Sequence, residues 1–129
     1  MLQAAAKSVM ARRTSDGGWG AYLSAPDACP GGAETSATAL LTFFLARGVN
    51  DGWLDRKVYA PIVMKAFALV MRRVDASGDI TAIQPPGVGP ACDLTSSYNA
   101  SVNVNFGPGA VLLASSEVLK FSDDDLAFH

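Results

Sequence analysis

The chain has 129 residues, enough for one domain, and half of them are apolar with 17% charged. This composition excludes a disordered polyampholyte. A net charge of −2, with no basic run beyond the pairs Arg12-Arg13 and Arg72-Arg73, leaves no electrostatic footprint for nucleic acid, and no apolar run approaches the ~20 residues that a membrane-spanning helix needs.

Leu2, Ala5, Ala6, Val9 and Met10 fall at helical spacing against Gln3, Lys7 and Arg13, which predicts an amphipathic helix over Leu2–Arg13. Its charges follow the apolar residues instead of preceding them, so it does not read as a secretory leader. Read as a natural start, it predicts a soluble cytoplasmic chain; read as an internal start, it says nothing about the compartment. Thr14–Gly18 then stops the helix with turn formers. Trp19, Tyr22 and Leu23 follow in a short irregular piece, and Ser24–Gly32 is a loop through Pro26, Pro30 and Gly31.

Glu34, Thr35 and Ser36 open the second helix with hydroxyls suited to capping and a carboxylate in the first turn. Ala37–Ala46 is apolar except for Thr38 and Thr42, so this helix has almost no polar face and must be enclosed on most sides. Gly48 is the expected left-handed C-cap. Val49–Arg56 is a tight connection carrying Trp53, which reads as packing. Pro61 is expected in the first turn of a third helix. There Ile62, Val63, Ala66, Phe67, Leu69 and Val70 form one stripe, with Lys65, Ala68 and Arg72 opposite.

Asp75–Gly78 is a turn, and Asp79–Gln84 alternates like a short strand. Pro85–Pro90 is a loop, and Asp93–Phe106 is polar without a period. Gly107-Pro108-Gly109 opens a last helix over Ala110–Lys120, and residues 122–129, with Asp123-Asp124-Asp125, form a flexible acidic tail. The cysteines, Cys29 and Cys92, both lie in Pro/Gly-rich loops, where they either pair in an oxidising compartment or stay free thiols. Asn99-Ala100-Ser101 matches a glycosylation acceptor, a pattern that also arises by chance. The single histidine, His129, supports no dyad or metal cluster.

The four helices alternate amphipathic, buried, amphipathic, buried. Inner helices covered by outer ones predict an all-α fold of the α/α barrel or solenoid kind. A simple four-helix bundle would have helices of similar amphipathicity.

An ordered series of short motifs narrows the choice. It runs through Asp16-Gly17-Gly18-Trp19, Glu34-Thr35-Ser36-Ala37-Thr38-Ala39, Ala46-Arg47-Gly48-Val49, Gly52-Trp53-Leu54, Tyr59-Ala60-Pro61, Lys65-Ala66, Val74-Asp75-Ala76-Ser77-Gly78 and Gly107–Val118. The series resembles the C-terminal part of the unsaturated rhamnogalacturonyl hydrolases, glycoside hydrolase family 105, which are related to family 88. The resemblance covers Leu2 to about Phe121. It implies about four helices of a six-hairpin α/α barrel, whose complete form has twelve, in one partial domain over 1–129. It also implies action on pectin-derived oligosaccharides ending in a 4,5-unsaturated uronic acid, by hydration of the double bond and without metal or cofactor.

In that family the catalytic aspartate lies upstream of the region matched, so no catalytic residue is assigned here. Asp16 matches a structural turn residue. Where the family often carries Trp-His-Gln, this chain has Trp19-Gly20-Ala21. The residues expected to bind substrate are Trp19, by stacking on a sugar ring, and Glu34 and Ser36, by hydrogen bonding to hydroxyls. Each also has a plain structural role open to it: packing for Trp19 and capping for the other two. Asn99, Asn103 and Asn105 either line the same rim or belong to a polar loop. The expected partners are an unsaturated uronyl oligosaccharide and, because a partial barrel exposes apolar faces, a missing N-terminal half or a second copy. The rival readings are a non-catalytic α/α repeat module that binds glycan or protein, and another α/α-barrel enzyme such as a lyase or cyclase.

Overall fold

The computed structural model describes residues 1–26, 32–84 and 106–121. Four helices form among them: α1 (Leu2–Met10), α2 (Thr35–Asn50), α3 (Arg56–Met71) and α4 (Phe106–Val118). Both cysteines, Asn99, Asn103, Asn105, His129 and the acidic tail lie outside the described residues.

Each helix starts where its chemistry allows, though not always where the pattern placed it. The N-cap of α2 is Glu34 itself, whose carboxylate accepts from the backbone N–H groups of Ser36 and Ala37. Asp55 caps α3, accepting from Lys57 N–H at 2.9 Å. Pro61 therefore lies inside α3 and not in its first turn. The bond it cannot make is to the carbonyl of Lys57, an exposed residue where water can replace the donor. Gly107, Pro108 and Gly109 belong to the first turn of α4. The expected strand over Asp79–Gln84 reduces to one antiparallel bridge, Val74 with Ile80, across the Asp75–Gly78 turn.

Gly48 is not a cap. Helix α2 runs on to Asn50, and the left-handed residue is Gly52 at φ +73°. Glycine at 48 answers a different need, close approach: a Cβ there would sit 2.6 Å from Leu54 Cδ1 and 2.8 Å from Leu54 Cγ. Leu54, buried, folds back onto the last turn of α2, and the N–H groups of Trp53 and Leu54 both donate to the Gly48 carbonyl.

The hydrogen bonds fix the helix directions. Asn50 at the end of α2 donates to the Glu117 carbonyl at the end of α4, at 2.9 Å. Ile83, next to the Ala82 carbonyl that accepts Thr35 N–H, lies against Gly107 at the start of α4. Helices α2 and α4 are therefore parallel. Arg73, just past α3, donates to the Ala33 carbonyl just before α2, so α3 runs the opposite way. Helix α1 does the same: Val9 near its end accepts from Trp19, and Gln3 near its start donates to the Trp53 carbonyl. Two parallel inner helices backed by two reversed outer ones form a stretch of two-layered helical wall.

Two apolar clusters fill this wall. One joins Ala6, Trp19, Leu45, Val49, Leu54, Tyr59, Val63, Val118 and Phe121, with the Arg56 guanidinium 5.2 Å from the Phe121 ring centroid. The other packs Ala39 and Val70 against Ala110, Val111 and Ala114 of α4. Enclosure is incomplete. Leu40 on α2 and Leu112 and Leu113 on α4 are exposed, Leu112 to 69%.

Candidate functional site

The candidate site lies at the N-terminal end of α2, where the Thr14–Gly20 turn and the Val74–Gln84 segment converge. Its centre is Glu34, only 3% exposed. One carboxylate oxygen accepts from Ser36 N–H at 3.2 Å and Gln84 N–H at 3.0 Å; the other accepts from Ala37 N–H at 2.6 Å. The Ser36 hydroxyl reaches both oxygens, at 3.0 and 2.8 Å. A charged acceptor at the positive end of a helix, filled by backbone donors, is a strong local clamp. It joins α2 to the segment at Gln84, which is 50 residues away in sequence.

Neighbouring groups hold the same end in place. Glu34 N–H donates to the Trp19 carbonyl at 2.8 Å. Thr38 brackets Trp19, its hydroxyl oxygen accepting from Trp19 N–H at 3.0 Å and donating to the Trp19 carbonyl at 3.2 Å. Gly18 is the residue that fits beside this contact, because a Cβ there would meet Ala33 Cβ at 2.5 Å and Thr38 Oγ1 at 2.7 Å. Thr35 is tied to the other side, its N–H to the Ala82 carbonyl and its hydroxyl to the Thr81 carbonyl, at 2.8 and 2.7 Å. Ala82 adopts a left-handed φ of 57°, a costly conformation for a residue with a Cβ. That conformation belongs to the segment whose carbonyls reach Thr35.

Asp16 and Arg73 clamp the peptide before Glu34. Asp16 accepts from Ala33 N–H at 3.2 Å, Arg73 donates to the Ala33 carbonyl at 3.0 Å, and the two charges are 3.8 Å apart. Burial pushes the Asp16 carboxyl up, but hydrogen bonds from Thr14, Ala33 and Gly18 and the Arg73 charge outweigh it. The net result holds Asp16 below the ordinary carboxylate range.

The three residues expected to bind substrate thus come together in one hydrogen-bonded cluster. Glu34 and Ser36 face each other, and Trp19 lies directly behind them. The position of Trp19 is that of a packing residue: none of its surface is exposed, and its indole N–H donates to the Val9 carbonyl at 2.8 Å. The sequence reading missed Gln84, Thr38 and the Asp16–Arg73 clamp. Asp16 was legible only as a turn residue, and nothing near Arg73 or Gln84 in sequence announces a role at the start of α2.

A protein-family model described as Glycosyl Hydrolase Family 88 matches residues 1–122. An unsaturated 3S-rhamnoglycuronyl hydrolase of Formosa agariphila is 36% identical over 118 residues, which is 92% of this chain and 30% of that protein. Among solved structures, a glycosyl hydrolase family 88 protein from Bacteroides vulgatus superposes with a TM-score of 0.79 at 38% identity, over 93% of this chain and 34% of its own. Another, named a polysaccharide lyase, gives 0.73 at 37% identity, over 87% and 31%. The chain therefore spans about a third of the length of these relatives. Its wall of two inner and two outer helices is a segment of their α/α barrel. With matched residues running through all four helices, the chain belongs to glycosyl hydrolase family 88.

Proposed function

We propose that this chain carries part of the substrate wall of a hydrolase acting on unsaturated uronyl oligosaccharides, and that the general acid lies outside residues 1–129. The observation that carries the reading is Glu34 at the start of an inner helix, in a chain matched to family 88 over residues 1–122. The relatives named as unsaturated rhamnoglycuronyl hydrolases support a uronyl substrate bearing rhamnose. In the proposed reaction an acid protonates the enol-ether double bond, water adds at the neighbouring carbon, and the hemiketal opens to release the sugar.

Ser36 is assigned to the rim, its oxygen accepting from a substrate hydroxyl, while Glu34, whose carboxylate is filled by its own donors, holds Ser36 in place. Trp19 supports them from behind by holding the Thr14–Gly20 turn against α2. Residues 1–129 form one partial domain, completed by further barrel hairpins.

The test is absorbance at the enol-ether band with an unsaturated uronyl-rhamnose disaccharide. It is run on this chain alone and on the chain completed with the remaining hairpins of a family 88 barrel. Absorbance should fall only with the completed barrel, and Ser36→Ala there should raise KM about tenfold through lost hydrogen bonding to the sugar and to Glu34. Turnover by the chain alone would overturn the placement of the acid. The relative named a polysaccharide lyase favours a second reading, in which a saturated uronyl polymer is cleaved. That reaction creates the double bond, so absorbance would rise when a saturated uronyl polymer is supplied in place of the disaccharide.

A further inference from the structure

The loop between α2 and α3 contains a division of labour that packing alone does not explain. Leu54 docks the loop, buried against Gly48. The backbone of Trp53 is equally well held, its N–H by the Gly48 carbonyl at 2.9 Å and its carbonyl by the Gln3 amide at 3.4 Å. Its side chain is nevertheless 53% exposed. An indole kept at the surface on a fixed backbone is a ready platform, because large aromatics are normally drawn inside.

The platform borders a cavity of about 260 Å³ between α1 and the start of α3, lined by Gln3, Lys7, Met10, Leu54, Asp55 and Tyr59 as well as Trp53. The floor is apolar and the edge is polar. Asp55 uses Oδ1 for the α3 cap, which leaves Oδ2 without a partner among the described residues. The Lys7 ammonium likewise has no ion pair or hydrogen bond among them, and the Gln3 side chain engages only its amide nitrogen. An aromatic face, a free carboxylate oxygen, an ammonium group and an amide oxygen around one small cavity match the chemistry of a pyranose. Such a ring has one apolar face and a rim of hydroxyls that donate and accept.

We propose that this cavity is a second carbohydrate-binding site, taking one pyranose unit of an acidic oligosaccharide stacked on Trp53. Asp55 and Gln3 accept from the ring hydroxyls, and Lys7 pairs with a uronate carboxylate. The site lies at the end of the helices opposite Glu34, between the two outer helices. It holds polysaccharide chain without acting on it. The inference goes beyond the reading of the Glu34 end and does not depend on turnover there.

The experiment uses this 129-residue protein and a saturated rhamnosyl-glucuronate disaccharide, which has no double bond to hydrate. The chain has two tryptophans, and Trp19 is fully buried, so acrylamide quenching reads Trp53. The disaccharide should protect Trp53 saturably and shift its emission to the blue. By calorimetric titration, Trp53→Ala should weaken binding about tenfold or more while Trp53→Phe retains most of it. Lys7→Gln should weaken the acidic disaccharide more than neutral rhamnobiose. Circular dichroism confirms that each variant is folded, and Trp53→Phe separates loss of the stack from loss of structure. The proposal is overturned by no saturable change, by equal affinity in Trp53→Ala, or by protection that rises with protein concentration in the absence of sugar. The last result would mark the surface as a protein contact.

Discussion

Glu34 shows how a single residue can be both a cap and a tertiary anchor. Its carboxylate satisfies three backbone N–H groups and one hydroxyl, and one of those donors belongs to a distant segment. Removing it leaves buried donors unmade, which costs more than an exposed N-cap. Glu34→Ala should therefore destabilise the protein by about 2–4 kcal/mol, read as a drop in the urea midpoint. The hydroxyl of Thr42 is the opposite case. It is fully buried on α2 and has no hydrogen-bond partner among the described residues. Thr42→Val removes an unpaired polar group at nearly constant shape and should stabilise by about 1 kcal/mol, seen as a higher midpoint in the same titration.

Among the elements, α2 depends on what touches its two ends. At its last turn Gly48 makes room for Leu54. Alanine is the better helix former by ~1 kcal/mol, yet Gly48→Ala should be net destabilising by about 1–3 kcal/mol because it forces Leu54 off its seat. The pair Gly48→Ala with Leu54→Ala should then cost less than the sum of the two single changes, a coupling that a double-mutant cycle measures.

The ends of α2 and α4 are joined by Glu117, a buried carboxylate bonded to Lys120 at 2.7 Å, to Asn50 at 2.9 Å and more loosely to Arg47. The Lys120 hydrogen bond outweighs desolvation and, with Asn50 and the two cations, holds Glu117 below the ordinary carboxylate range. A carboxylate depressed in the folded state contributes stability that is whole above the unfolded-state value. That contribution declines below it and is gone beneath the folded value. Stability should thus fall as pH drops below about 4. Glu117→Gln should flatten that fall in denaturation curves taken at successive pH values, leaving the parts due to Asp16 and Asp75, which are also held below the ordinary range.

At the scale of the whole molecule, the inner helices are apolar nearly all round, but the described residues cover only part of them. Leu40, Leu112 and Leu113 stand exposed on α2 and α4. In a family whose members are about three times as long, these faces fit neighbouring barrel helices. Isolated, the chain is expected to associate with itself in a concentration-dependent way. Leu112→Lys combined with Leu40→Lys should shift it toward monomer in light scattering. A wild-type chain that is a sharp monomer at all concentrations would count against this. The same exposure explains why Trp53, although also at the surface, is a separate matter: it sits between outer helices and is bordered by charged groups.

The sequence by itself determined the four helices, their inner and outer alternation and the family, because hydrophobic periodicity and motif order are properties of the chain read locally. It also placed Trp19, Glu34 and Ser36 near one another, since they flank one turn and one helix start. What it misread were residues whose role depends on contacts across the chain. Gly48 reads as a cap in the sequence but makes room for Leu54, and Pro61 reads as a helix start although Asp55 caps α3 earlier. Trp53 reads as packing, although it is exposed and its neighbour Leu54 does the packing. Only the tertiary structure brought Gln84, Arg73 and Asp16 to the start of α2, because hydrogen bonds between segments 17 to 50 residues apart leave no periodic trace. Returning the chain to Glu34 from both sides is a matter of how α3 reverses and where Ala82 turns, and those are decided by packing in three dimensions.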